Sequence, residues 1–146
     1  MPRGLTSRTG FLLSMLGRAS REATERALAP LGIKPHHYGI LVVLDATGPA
    51  PQHRVGERLR IDKSTMTVFV DQLEGLGMLE RRRNPENRRA YDLTLTETGR
   101  RALARAAPLI DAVDEATLSP LGGEERSQLH RLLSRLLAGA DVPGQP

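Results

Sequence analysis

The sequence predicts a mainly α-helical chain interrupted once by a small β-hairpin. Three observations carry that expectation. Leu and Ala dominate the apolar residues, while the 146 residues hold only two Tyr, two Phe and no Trp, a composition that favours helices. Apolar residues recur at three- and four-residue steps along most of the chain. Between Met78 and Leu95 that period gives way to alternation on either side of Asn84-Pro85-Glu86-Asn87, a cluster of turn formers.

Each element follows in order. Met1 to Arg8 reads as a loose start. From Thr9, Phe11, Leu12, Met15, Leu16, Ala19, Ala23, Ala27 and Leu28 line one side of a helix of about 20 residues, ended near Pro30 and Gly32. Pro35 opens the next helix at its first position, with Tyr38, Leu41, Val42 and Leu44 as the apolar face, stopping before Gly48-Pro49. A short helix from about Pro51 turns Val55 and Leu59 inward and breaks at Arg60-Ile61. Asp62 caps a further helix from Lys63 to about Leu76, whose core face is Met66, Val70 and Leu73 and whose end is marked by Gly75 and Gly77. Met78 to Arg83 and Ala90 to Leu95 form the hairpin, with Leu79, Tyr91, Leu93 and Leu95 on one side. Thr94 with Glu97, or Thr96 alone, caps a long helix to about Leu118 containing Pro108. After Ser119 to Gly123 a last helix, Glu124 to Ala138, carries Leu129, Leu132, Leu133, Leu136 and Leu137.

Composition also excludes whole classes of function. With no Cys there is no disulfide, thiolate metal site or Cys nucleophile. The four His show no metal-ligand spacing with Asp or Glu on one helix face. No phosphate-cradling glycine loop or nucleophile elbow is present, so no enzyme, cofactor or metal is expected. No apolar run reaches the roughly 18 residues of a membrane span, and no signal-peptide pattern opens the chain. A cytoplasmic protein away from membranes is expected.

The formal net charge of +4 has one source. Arg81 to Arg89 (RRRNPENRR) holds five Arg and one Glu, and the rest of the chain balances. The charge run therefore falls on the hairpin. Before it stand a short helix, a tight turn and a second helix, which is the helix-turn-helix layout. In that layout the second helix enters the DNA major groove with its N-terminal residues at base edges. Here those residues are Lys63-Ser64-Thr65-Met66-Thr67. A cationic hairpin beside such a helix can reach an adjacent minor groove, whose negative potential favours arginine. The plainer alternative is that Ser64 and Thr65 only cap and solvate a helix start. The ordered set, ending in an arginine hairpin, favours DNA binding.

From Leu31 to Leu103 the chain resembles the winged helix-turn-helix core of the MarR-type transcriptional regulators. The matching segments are PHHYGILVVL (Pro35–Leu44), VGERLRIDKSTMTVFVDQLEGLGMLERR (Val55–Arg82) and NPENRRAYDLTLTETGRRAL (Asn84–Leu103). The resemblance implies a homodimer on a pseudo-palindromic operator in double-stranded DNA, acting by default as a repressor, whose DNA binding a small aromatic or phenolic ligand weakens. Carried over by position, Ser64, Thr65 and Thr67 fall at groove-reading sites. Arg89 falls at the wing arginine of the minor groove, with Arg88 beside it. Gln52, His53 and Arg54 lie where the preceding helix nears the phosphate backbone.

The chain departs from the family pattern in three places. Asn87 stands where the family usually has Asp, keeping a hydrogen bond but no ion pair to the wing arginines. Val68-Phe69 follow Thr67 where the family often has Arg, a loss of about 1–3 kcal/mol of discrimination at one base pair. Pro51 replaces the usual Ser or Thr cap, which is worth about 1 kcal/mol.

The expected organisation is an N-terminal dimerisation helix over 9–34, a winged helix-turn-helix domain over 35–99, C-terminal dimerisation helices over 100–140 and a disordered tail over 141–146. Five Leu between Leu129 and Leu137 exceed one narrow stripe, which suits a helix buried on both sides. The family's effector pocket lies between the dimer helices and the winged domain. Candidates there are Arg18 for a carboxylate and His36, His37 and Tyr38 for a phenol. The alternative is that Tyr38 is core and both histidines simply sit at a helix start. Two other functional classes stay open: a non-specific or architectural DNA-binding protein, and a dimeric small-molecule binder without DNA binding.

Overall fold

The structure, a computed structural model, describes residues 1–140. The expected disordered tail, 141–146, lies outside the described residues. The order is α1 (Arg3–Thr6), α2 (Thr9–Leu28), a 3-10 turn (Ala29–Leu31), α3 (Pro35–Thr47), β1 (Ala50–Pro51), α4 (Gln52–Leu59), α5 (Lys63–Gly75), β2 (Leu79–Arg83), β3 (Tyr91–Leu95), α6 (Glu97–Leu118) and α7 (Gly123–Ala138). The mainly α-helical architecture with its hairpin is as the sequence predicts. Two details differ. The N-terminal segment contains a single helical turn, α1, rather than a loose start. A two-residue strand, β1, adds a third member to the sheet in the order β1-β3-β2, pairing Ala50 with Leu93 and Pro51 with Asp92. Pro51 sits on the sheet edge, where a missing N–H is tolerated.

One core joins α3, α4, α5, the sheet and the first half of α6. Ile40, Leu41, Leu44, Val55, Met66, Val70, Leu73, Leu79 and Leu93 are all buried in it. On α3 the inward face is His37, Ile40, Leu41 and Leu44, so Val42 points outward instead, at 39% exposure. Tyr91 likewise turns to solvent, at the turn end of the hairpin where it pairs with Arg83.

Three close junctions fix the orientation of the helix-turn-helix and wing. A Cβ at Gly56 would lie 3.0 Å from Met66 Cγ and 3.2 Å from the Ile61 carbonyl, so glycine lets α4 approach α5. At the start of α6, a Cβ at Gly99 would fall 2.1 Å from the Met78 carbonyl oxygen, which leaves glycine as the residue that fits. Beside it Thr96 accepts from Gly99 N–H at 3.1 Å and donates to the Gly77 carbonyl at 2.6 Å, tying α6 to the base of the wing. Thr96, not Thr94, is therefore the cap.

The turn between α4 and α5 carries Arg60 at φ 55, the left-handed region that non-glycine residues rarely occupy. Its guanidinium donates to the carbonyls of Ala140 at 3.4 Å and Leu137 at 3.5 Å, at the C-terminal end of α7. Cations there complement the helix dipole. The other end of α7 is held by Arg126, which pairs with Glu115 of α6 at 2.7 Å. Between these two ties α7 has no buried residue.

Candidate nucleic-acid interface

The leading turn of α5 is built by Asp62. Its carboxylate accepts from Thr65 N–H at 2.9 Å and from the Thr65 hydroxyl at 2.7 Å. Those bonds hold the Asp62 acid below the ordinary carboxylate range. One turn on, the Thr67 hydroxyl donates to the Lys63 carbonyl at 3.1 Å and accepts from Gln52 Nε2 of α4 at 3.0 Å. Lys63, Ser64 and Thr67 are exposed and Thr65 is partly covered. His53 and Arg54 are both exposed on the first turn of α4; His53 lies beside Lys63, whereas Arg54 lines a separate small cleft with Val43, Thr47 and Arg58. Two helix N-termini thus meet at one place, each favouring anions.

The wing stands beside them. Its arginine run is divided rather than continuous. Arg81 turns back onto α5, donating to Asp71 at 2.6 Å and Glu74 at 2.8 Å, and these carboxylates raise its pKa. Arg82 pairs with Glu80. Arg83 lies 5.7 Å from the Tyr91 ring centroid and donates to the Arg88 carbonyl at 3.4 Å. That leaves Arg88 and Arg89, which form no ion pair among the described residues, as the cations of the wing tip.

The tip is ordered by its two asparagines. Asn84 Oδ1 accepts from Glu86 N–H at 2.8 Å and Asn87 N–H at 3.3 Å, while its amide donates to Asp92 at 3.1 Å. Asn87 Oδ1 accepts from Arg89 N–H at 3.2 Å. Asn87 thus holds the backbone of Arg89 without an ion pair to its side chain. Gln52, His53, Lys63, Asn84, Asn87 and Tyr91 line a groove of about 890 Å³ between the wing and the two helix starts. Of the predicted DNA-contact residues, Gln52, His53 and Lys63 line this groove, while Arg54, Ser64, Thr65, Thr67, Arg88 and Arg89 do not.

Of the other four candidates, only His36 and His37 share a neighbour, Phe69. His37 is buried, accepting from Lys34 N–H at Nδ1 (2.9 Å) and meeting Gln72 Oε1 of α5 through Nε2 (2.7 Å). Phe69 packs edge-on against both histidine rings, with centroids 4.8 Å from His36 and 5.0 Å from His37. Burial lowers the pKa of both histidines, and at His37 the Gln72 bond opposes that shift in part. A cleft of about 510 Å³ is lined by His37, Gln72, Glu25 and Lys34, and a smaller one of about 220 Å³ by His36, Phe69 and Arg21. Arg18 lines neither and is exposed, paired with Glu22 at 3.2 Å. Tyr38 packs against the core.

Sequence reading missed the partners of these residues. Phe69 is half-buried on α5 and could have been placed by its three-residue step from Met66, while Gln72, though exposed on the same helix, reaches His37. The sequestering of Arg81 by Asp71 and Glu74 had no local signal, since ten and seven residues separate the pairs.

The model of the MarR family matches residues 33–91. Among curated relatives, a Thauera aromatica protein named as a transcriptional regulatory protein for the hcr operon is 33% identical over 105 residues. The match covers 72% of this chain and 63% of that protein, so the chain spans less than two thirds of its length. The HTH-type transcriptional regulator BilQ of Clostridium symbiosum is 33% identical over 101 residues, 67% of this chain and 70% of BilQ. The solved structure of the transcriptional repressor CouR bound to a 23-mer DNA duplex matches with TM-score 0.86 and 29% identity, covering 92% of this chain and 96% of that one. CouR from Rhodococcus jostii RHA1 bound to p-coumaroyl-CoA matches with TM-score 0.83 and 27% identity, covering 97% and 99%.

Proposed function

The chain belongs to the MarR family of transcriptional regulators, and on that premise we propose that it is a sequence-specific repressor acting as a homodimer on a pseudo-palindromic operator. The observation that carries this reading is the shared surface of the α5 leading turn, the first turn of α4 and the wing tip. In this reading α5 enters the major groove. Ser64, Thr65 and Thr67 lie at base edges, and Lys63, Gln52, His53 and Arg54 lie along the phosphates. Arg88 and Arg89 reach the adjacent minor groove, where narrow A·T tracts concentrate negative potential. The likeness to CouR, solved on duplex DNA, supports the same use of the fold. No catalytic step is assigned, and the site of action is the cytoplasm.

Homodimerisation is supported by two unpartnered apolar faces. Leu132, Leu133, Leu136 and Leu137 on α7 are 41–63% exposed, and Leu12, Leu13, Met15 and Leu16 on α2 are 41–60% exposed. A second copy would cover both and set two α5 helices one DNA turn or a small multiple apart. Residues 9–34 and 100–140 would then serve dimerisation and 35–99 DNA binding.

An effector is also part of this reading. The clefts beside His36 and His37 adjoin α5: an aromatic group in the first would meet Phe69, and a polar group in the second would meet Gln72. CouR, solved with p-coumaroyl-CoA, lends support for an aromatic ligand.

Selection of random duplex DNA by the purified protein at about 150 mM salt, where non-specific binding is weak, tests the proposal. Enrichment of one inverted repeat is expected. Uniform recovery would replace the repressor reading with non-specific binding.

A further inference from the structure

The three hydroxyls on the reading turn of α5 are not equivalent. Each carries one proton to donate. Thr65 gives its proton to Asp62 Oδ2 at 2.7 Å, so it is committed to the cap. Thr67 gives its proton to the Lys63 carbonyl at 3.1 Å. Its oxygen also accepts from Gln52 Nε2 at 3.0 Å, from the first residue of the preceding helix. Ser64 alone makes no side-chain hydrogen bond among the described residues, and it is exposed.

Thr67 is exposed as well, but its hydroxyl is turned to the protein by two partners. What remains for DNA is chiefly its γ-methyl. A methyl at a major-groove edge finds its complement in one base, because only thymine carries a methyl there. We infer that Thr67 reads a thymine through its methyl group, and that Gln52 is the positioning residue that holds the hydroxyl away from the base edge.

The consequence for Gln52 differs from a phosphate contact. One of its two amide N–H donors is occupied in the free protein, so it acts across 15 residues of sequence on the face that α5 presents. Without it, the Thr67 oxygen regains a lone pair able to accept from the exocyclic amine of cytosine or adenine. Preference for thymine over cytosine would then fall. Thr67 thus acts as an apolar contact set by a polar neighbour, and Ser64 is the hydroxyl of this turn that retains a proton for phosphate or base.

This assignment rests on the reading of the chain as a sequence-specific regulator, so its test starts from the selected duplex. Each thymine is replaced by uracil, which removes only the 5-methyl group. Wild-type protein should lose about fourfold in affinity at one thymine per half-site, the worth of one buried methyl. T67V keeps a methyl and should retain that uracil penalty, whereas T67S should lose it, whatever either does to overall affinity. Q52A should lower the thymine-over-cytosine ratio at the same position. Because a ratio is read, any change in phosphate contacts cancels. A duplex with no uracil penalty, or the same penalty in T67S, would overturn the assignment while leaving the regulator reading standing. Selection that enriches no sequence would overturn both.

Discussion

His37 joins two helices through one ring. Its Nδ1 accepts from the Lys34 N–H that opens α3, so the proton sits on Nε2 and is donated to Gln72 of α5. Protonating Nδ1 would set a donor against a donor. The residues around it add to the cost, since Lys34 and His36 both disfavour a second charge, and Arg21 does the same for His36. The sign follows directly. A histidine whose folded pKa lies below its ordinary 6.5 binds fewer protons folded than unfolded as pH falls. Its contribution is intact above 6.5 and erodes below it, towards the folded pKa. Urea denaturation at pH 7.5 and 5.5 should therefore show a loss of stability in acid that shrinks in His37→Asn. That variant should also be about 0.5–1.5 kcal/mol less stable at pH 7.5, the net worth of the bond to Gln72, whose exposed amide water can solvate. An undiminished acid loss in the variant would assign the effect elsewhere.

At the scale of elements, the wing shows why a charge run must be sorted by partner. Arg81 and Arg89 look alike in sequence, yet Arg81 is clamped to Asp71 and Glu74 on α5 while Arg89 is held only by its backbone, at Asn87. Arg89→Ala should weaken operator binding and reduce the salt slope of binding by about 1.8, the yield of one phosphate-proximal cation from each protomer of the dimer. Arg81→Ala should leave that slope nearly intact and instead loosen the wing from α5, read as faster hydrogen exchange in β2. Equal slope changes in both variants would refute the division of the run. The elements themselves were legible because their signals are local. The Asp62 cap, Pro35 at a first helical position and the alternation in Leu79, Leu93 and Leu95 each act within a few residues. What stayed hidden depends on distant partners. Neither the Gln52 to Thr67 bond nor the Arg60 contact with the end of α7, 77 and 80 residues away, leaves any period or spacing to read. Strand β1 was equally silent, since two residues including a proline carry no alternation.

For the whole molecule, two features point outward in different directions. One is the cationic surface around the α5 start and wing tip. The other is the exposed leucine face of α7 with the apolar start of α2. The described residues include no helix long and apolar enough to cross a membrane. In the proposed homodimer, Arg60 would link the two features, because its turn leads into α5 while its guanidinium holds the end of α7. The central claim is that this surface reads sequence and does more than neutralise phosphate. Its most direct test is the affinity for the selected operator and for random duplex, each measured across a range of salt. Both should weaken as salt rises, and the operator should stay at least about a thousandfold tighter at physiological salt. Curves that coincide at every salt concentration would contradict it, leaving a protein that binds DNA by charge alone.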